Sequence, residues 1–212
     1  MINVEIVVEN NDIFNEFENV YLEYSSIIKF YKIKSDFFKG YGGAKHSSSF
    51  KLNLIFNIAK MSIKDMTMYK YNRSDQGLSQ YTADHLNKGD LYIADLGYYV
   101  LKGFQKIEDK KAFYLSRFQV HTNVYWEKDS AETSDLISYL DKQKNSVIDI
   151  ENLYLGAKEK LQCRMIAYRL PQEVANERIR KKKLEYKRRK GKAPSKKLLA
   201  SLNYAIYSTP KW

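Results

Sequence analysis

Two features of this 212-residue chain could do chemistry: an aspartate closing a short apolar run, and a dense tract of cations near the C-terminus. The run Leu91-Tyr92-Ile93-Ala94 ends abruptly at Asp95, before Leu96-Gly97. An uninterrupted apolar run suits a strand covered on both faces, and an acid at its carboxyl end lies where open α/β sheets collect ligands. The competing assignment is a cap for the helix that follows Gly97. One carboxylate is no catalytic site by itself, because metal-assisted phosphoryl transfer needs several acids converging on ions about 3.5–4 Å apart.

Other reactive residue types carry less. His46, His85 and His121 are far apart in sequence and share no ligand spacing with Cys163, so no zinc site is expected. Ser47-Ser48-Ser49 lacks the strand-to-helix elbow of a nucleophilic serine. Gly40-Tyr41-Gly42-Gly43 supplies the conformations of a tight turn, but Lys45 and His46 stand where phosphate-binding loops need other residues. The 18 tyrosines could stack on bases, although tyrosines scattered through strands more often pack.

The cations are unevenly placed. The chain carries 36 Lys+Arg against 25 Asp+Glu, a net of +11, and Arg164–Trp212 alone holds 15 of the former and 3 of the latter. The remainder is therefore close to neutral. A basic patch on a neutral body has phosphate backbones as its commonest partner, which points to nucleic-acid phosphate contacts from Arg178, Arg180, Lys181, Lys182, Lys183, Lys187, Arg188, Arg189 and Lys190. A helix kept soluble by lysine is the plainer alternative.

These groups need a scaffold, and the chain has the composition for one. A hydrophobic content of 44% is near the globular norm of about 45–50%. A lone Cys163 excludes an internal disulfide and favours a reducing compartment, hence cytoplasm. Apolar runs fall far short of the ~20 residues that span a bilayer, and the first twenty residues are acidic rather than basic, so no export signal or membrane partner is expected.

Val20–Phe30, Ser49–Ile58 and Ile63–Tyr71 are rich in β-branched and aromatic residues and are expected as three successive strands. Leu78–Leu86 fits a short helix, Leu91–Ala94 a buried strand, Val100–Lys110 an amphipathic helix with Phe104 and Ile107 on one side, and Ala112–Phe118 a further strand. The order points to a mixed sheet with helices packed against it. Beyond Gln119, strands are expected at Val124–Trp126, Val147–Leu155 and Leu161–Tyr168, with a helix at Glu132–Asp141. Pro171, Glu173 and Gly191 bracket a helix over 171–190, whose charge leaves it a weak apolar side. Such a helix should project from the body or lie on a polyanion.

Four blocks together resemble a known family: Asp36-Phe37-Phe38-Lys39-Gly40-Tyr41-Gly42-Gly43; Phe50-Lys51-Leu52; Arg73-Ser74-Asp75-Gln76; and Gly89-Asp90-Leu91-Tyr92-Ile93-Ala94-Asp95-Leu96-Gly97-Tyr98-Tyr99. In this order they resemble DDE transposases of bacterial insertion sequences, of the insertion-sequence-four type. Arg169-Leu170-Pro171-Gln172-Glu173-Val174 through Arg178, with Lys190-Gly191-Lys192-Ala193-Pro194-Ser195, resembles that group's basic segment.

The resemblance implies an α/β, RNase H-like mixed sheet with flanking helices, plus a β-rich insertion carrying the basic helix. It divides the chain into a partial catalytic core at 1–118, the insertion at 119–202, and the start of a return strand at 203–212. It also implies two Asp and one Glu that bind Mg²⁺ for strand transfer. Asp95 matches the second Asp, as catalytic residue and metal ligand alike. The first should precede Ser25-Ser26, where this chain has Tyr24. Glu23 is adjacent, but a one-residue shift on a strand turns a side chain to the other face. The third acid follows a strand resembling Tyr204–Pro210, and the chain ends at Trp212, so a truncated, catalytically incomplete core is expected. Such a core would leave apolar sheet surface uncovered, would bind Mg²⁺ weakly, and would need an intact transposase relative as a partner to complete it. The alternative is a non-catalytic basic module that binds nucleic acid.

Overall fold

The computed structural model describes residues 14–30, 48–70 and 74–211. The Gly40–Gly43 turn, the block at 36–43, His46 and Arg73 lie outside the described residues. β1 (Val20–Phe30), β2 (Ser48–Asn57) and β3 (Ser62–Lys70) form an antiparallel meander, as their β-branched and aromatic content demands. α1 (Asp75–His85) follows, begun by Ser74, whose Oγ accepts the Gly77 N–H at 3.2 Å. β4 (Leu91–Ala94), α2 (Leu101–Asp109) and β5 (Phe113–Arg117) complete the first half.

β6 (Val124–Tyr125), α3 (Leu136–Lys142), β7 (Val147–Leu155) and β8 (Leu161–Arg169) come next. The basic helix α4 (Gln172–Lys190), α5 (Lys196–Ser201) and β9 (Tyr204–Thr209) end the described chain. α3 begins at Leu136 rather than near Glu132, because Asp135 caps it by accepting the Ser138 N–H at 3.2 Å. α5 was not expected from the sequence, although Ser195, whose Oγ accepts the Leu198 N–H at 3.2 Å, is its signature.

All nine described strands join one sheet in the order β3-β2-β1-β4-β5-β9-β8-β7-β6. β1, β4 and β5 run parallel to one another, and the other pairings are antiparallel. An antiparallel meander leading into two parallel strands through helical crossovers is the RNase H-like arrangement. β9 returns to pair with β5 on one side and β8 on the other, so the later strands extend the same sheet.

α1 and α2 cover one face of the first half. Leu78 and Ala83 of α1 and Phe104 and Ile107 of α2 are buried there, with the Phe104 ring stacked on Tyr114 at 4.3 Å between centroids. The opposite face of the meander is far more open: Ile63, Met66 and Met68 of β3 and Leu22 of β1 are exposed, Met68 by 70%. The apolar sheet surface expected to stay uncovered is thus present, beside β4 at Leu22 and on across β3.

α4 does not simply project. Ala175 is buried and Arg178 Nη1 donates to the Tyr204 carbonyl at 3.5 Å, so the first turns are seated against β9, and the charged remainder runs on to Gly191. Gly191 closes it in the left-handed conformation (φ +60°) that a residue without Cβ adopts freely. Pro171 stands just outside the helix as its N-cap, with φ −53°.

Truncating Phe104 to Ala should lower unfolding free energy by about 3–5 kcal/mol, because it empties a stacked core position. Met68→Ala on the open face should change it by less than about 0.5 kcal/mol. Urea unfolding of both variants against the parent chain measures the difference.

Candidate functional site

The site is built where β4 and β5 end beside the middle of β1. The parallel register pairs Leu22 with Ile93 and Ala94 with Ser116. Continued along the same strands, it aligns Tyr24 with Asp95 and Asp95 with Arg117. Asp95 keeps an extended backbone (φ −77°, ψ 165°), so the strand alternation carries through it. Tyr24, Asp95 and Arg117 thus form a row at the carboxyl edge, on the face that α1 and α2 leave open.

Asp95 is exposed. A 3-10 turn (Leu96–Tyr98) follows it, in which the Tyr98 N–H donates to the Asp95 carbonyl at 2.9 Å. The side chain makes no capping hydrogen bond, and α2 begins later, with Val100 as its N-cap. Asp95 therefore does not cap the following helix, and among the described residues its carboxylate enters no ion pair.

Beside it, Tyr24 is 64% exposed, whereas Glu23 is only 1% exposed on the opposite face. There Glu23 belongs to a buried chain of hydrogen bonds. Tyr92 Oη donates to Glu23 Oε2 at 2.5 Å, Asn53 Nδ2 donates to Glu23 Oε1 at 2.8 Å, and Tyr98 Oη donates to Asn53 Oδ1 at 3.0 Å. Nearby, Asp75 Oδ1 accepts from Ser25 Oγ at 2.7 Å and from Lys51 Nζ at 2.6 Å. Burial raises the Glu23 carboxyl above the usual carboxylate range, against the lowering pull of its Tyr92 and Asn53 bonds. Burial also pushes the Tyr92 hydroxyl well above its ordinary value, which keeps it a donor.

These residues do not fit a two-ion site. Among the described residues, no three of His, Cys, Asp and Glu come together closely enough to hold a metal. Glu23 lies on the opposite face from Asp95, and both Glu23 and Asp75 are occupied by hydrogen-bond partners.

The nine cations marked out by the sequence separate in two ways. Glu177 pairs with Arg180 at 2.8 Å and Lys181 at 3.4 Å, and Glu185 with Lys182 at 3.0 Å and Arg189 at 3.2 Å. Among the described residues Arg178, Lys183, Lys187, Arg188 and Lys190 meet no carboxylate, and Lys190 lies 4.6 Å from the Tyr186 ring. Helical spacing also turns Arg178 and Lys182 inward, toward a cavity shared with Arg117 and His121, two residues the sequence did not mark. No local pattern could have marked them, because β9 and α4 bring the partners from more than fifty residues away.

A sheet of this order, with an acid at its carboxyl edge and a basic helix beside it, gives the chain an RNase H-like arrangement. The family model of the transposase DDE domain matches residues 25–209. The chain belongs to that family, whose members bind DNA and normally use a divalent metal. It is similar to the transposase for insertion sequence element IS231F of Bacillus thuringiensis subsp. israelensis, 22% identical over 95% of this chain and 46% of the relative. The IS231B transposase of Bacillus thuringiensis subsp. berliner is 26% identical over 92% of this chain and 44% of its own, and the IS1151 transposase of Clostridium perfringens 22% identical over 67% and 33%. The chain thus spans less than half the length of these relatives. Among solved structures, a piggyBac transposase synaptic complex with hairpin DNA overlaps 90% of this chain and 32% of its own, with a TM-score of 0.43 and 7% identity. No helix among the described residues is long and apolar enough to cross a membrane.

A carboxyl with a raised folded-state pKa favours the folded chain while protonated, and that advantage is lost as pH rises through the unfolded value toward the folded one. Glu23→Gln cannot ionise. Its stability relative to the parent should therefore improve between about pH 4 and pH 7, as read by urea unfolding at both. A constant difference would show that Glu23 titrates normally.

Proposed function

We propose that this chain is the DNA-binding sheet and basic helix of an insertion-sequence transposase whose catalytic edge is incomplete, so that it engages DNA without cutting it. The observation that carries the reading is the edge row itself: Tyr24 occupies the neighbouring position on the open face, and among the described residues Asp95 stands there as a lone acid. Changes even beyond the direct ligands of a metal site typically cost about 10–100-fold in affinity or activity, so one carboxylate would hold hydrated Mg²⁺ weakly. A longer transposase supplying the missing carboxylates is the partner this edge would need. Residues 119–202 would serve as the insertion that presents the basic helix, and residues 1–118 with the β9 strand as the core.

DNA binding rests on α4. Its ion pairs are exposed and worth little, so phosphates can replace Glu177 and Glu185 as partners. If about five cations engage duplex DNA, the logarithm of affinity should fall with the logarithm of salt at a slope near −4 to −5, at roughly −0.9 per phosphate. Fluorescence anisotropy with a labelled duplex across a salt series tests this, and a flat response would remove α4 as the interface. A supercoiled plasmid incubated with the chain and Mg²⁺ should stay intact. Nicking that disappears in Asp95→Ala would overturn the incomplete-edge reading.

A further inference from the structure

The cavity beside the Asp95 turn carries an assignment that the outward face of α4 does not. It encloses about 340 Å³ between α4, α5 and the loop after β5. Arg178, Lys182 and Tyr186 recur every four residues, so a single edge of α4 supplies all three. Arg117 and His121 line the other wall, and Leu96, adjacent to Asp95, lies at the end nearest the sheet edge.

The electrostatics of this cavity are one-sided. No acidic residue lines it. Arg117 and His121 meet no carboxylate among the described residues, and Arg178 has only the Tyr204 carbonyl at 3.5 Å, the limit of a hydrogen bond. Lys182 is shared with Glu185, which lies outside the lining. Backbone bonds hold the loop in place: the Phe118 N–H donates to the Ile206 carbonyl at 2.8 Å and the Thr122 N–H to the Gln119 carbonyl at 2.9 Å. Cations gathered by the fold around a lining that holds no carboxylate raise the local potential, and an anion entering a concave site gains more from it than one on an open surface. Arginine's fork of donors suits phosphate oxygens in particular. Val120, Leu198 and Ile206 add apolar wall, which an attached sugar can cover.

We propose that this cavity binds a phosphate group of a DNA strand through Arg117, His121, Arg178 and Lys182, seating the strand beside Asp95. The assignment deepens the DNA-binding reading and rests on it, but it names a second contact set, separate from the outward cations Lys183, Lys187 and Arg188. The phosphate is either a terminal monoester or an internal diester, and both present the same oxygens.

The test uses the full chain and two probes: a labelled duplex, and a single-stranded tetranucleotide with or without a terminal phosphate. Arg117→Gln/His121→Gln changes two exposed positions, and Arg178→Gln is a second, independent pocket variant. Each should weaken the tetranucleotide about tenfold or more at about 0.1 M salt, as loss of a charge-assisted hydrogen bond predicts, with duplex affinity less affected. Lys183→Gln/Lys187→Gln/Arg188→Gln should do the reverse. Tetranucleotide addition should shift backbone amide resonances at 118–121 in the parent chain. A preference for the phosphorylated probe assigns the monoester, and equal affinity the diester. Unchanged tetranucleotide affinity in both pocket variants, or unmoved amides at 118–121, would overturn the cavity assignment while duplex binding stood. Absent duplex binding with intact tetranucleotide binding would overturn α4 as the interface and leave the cavity standing.

Discussion

The carboxyl edge of this sheet is organised from beneath, by a carboxyl group that touches no solvent. Glu23 accepts from Tyr92 on β4 and from Asn53 on β2, and Asn53 in turn accepts from Tyr98, which ends the turn holding Asp95. Three separate pieces of chain are therefore tied together below the open face. Each buried polar group in this set depends on its neighbours for satisfaction, so the network fixes one arrangement of the edge rather than several. Register then does the rest: with Glu23 committed inward, Tyr24 must point outward, and Asp95 must lie beside it.

The same constraint explains what the edge lacks. Glu23 and Asp75 are near Asp95 in the fold, yet they hold Tyr92, Asn53, Ser25 and Lys51 on the helix-covered side. They cannot turn to join it without leaving buried donors unpaired, which is costly. Among the described residues the open face is consequently apolar and aromatic around Asp95, while positive charge enters from the other side of β5, through Arg117 and α4. The result is a surface suited to holding a polyanion.

Much of the scaffold was legible in the sequence because its signals are local. Leu91–Ala94 is a strand with the bounds its apolar run suggests, Phe104 and Ile107 form the buried side of α2, and Gly191 stops α4. The opposite placement of Glu23 and Tyr24 follows from strand alternation alone. Misreadings came where a tertiary contact outweighed local character. The charge of α4 suggested a free helix, but Ala175 and Arg178 anchor it on β9. Asp95 resembles a cap in sequence, yet its side chain caps nothing, because the chain makes a 3-10 turn before α2 starts.

Sequence by itself determined the identity and order of the strands, the position of the edge acid, the tyrosine rather than an acid before Ser25-Ser26, and the concentration of cations near the C-terminus. Each depends on residue type or on a period of two or four along the chain. Only the tertiary structure decided which cations face inward, that Arg117 and His121 join them, and that Glu23 is locked beneath the edge. Those outcomes depend on β9 returning between β5 and β8 and carrying α4 and α5 with it, and a contact made across such a distance leaves no trace in the spacing of neighbouring residues.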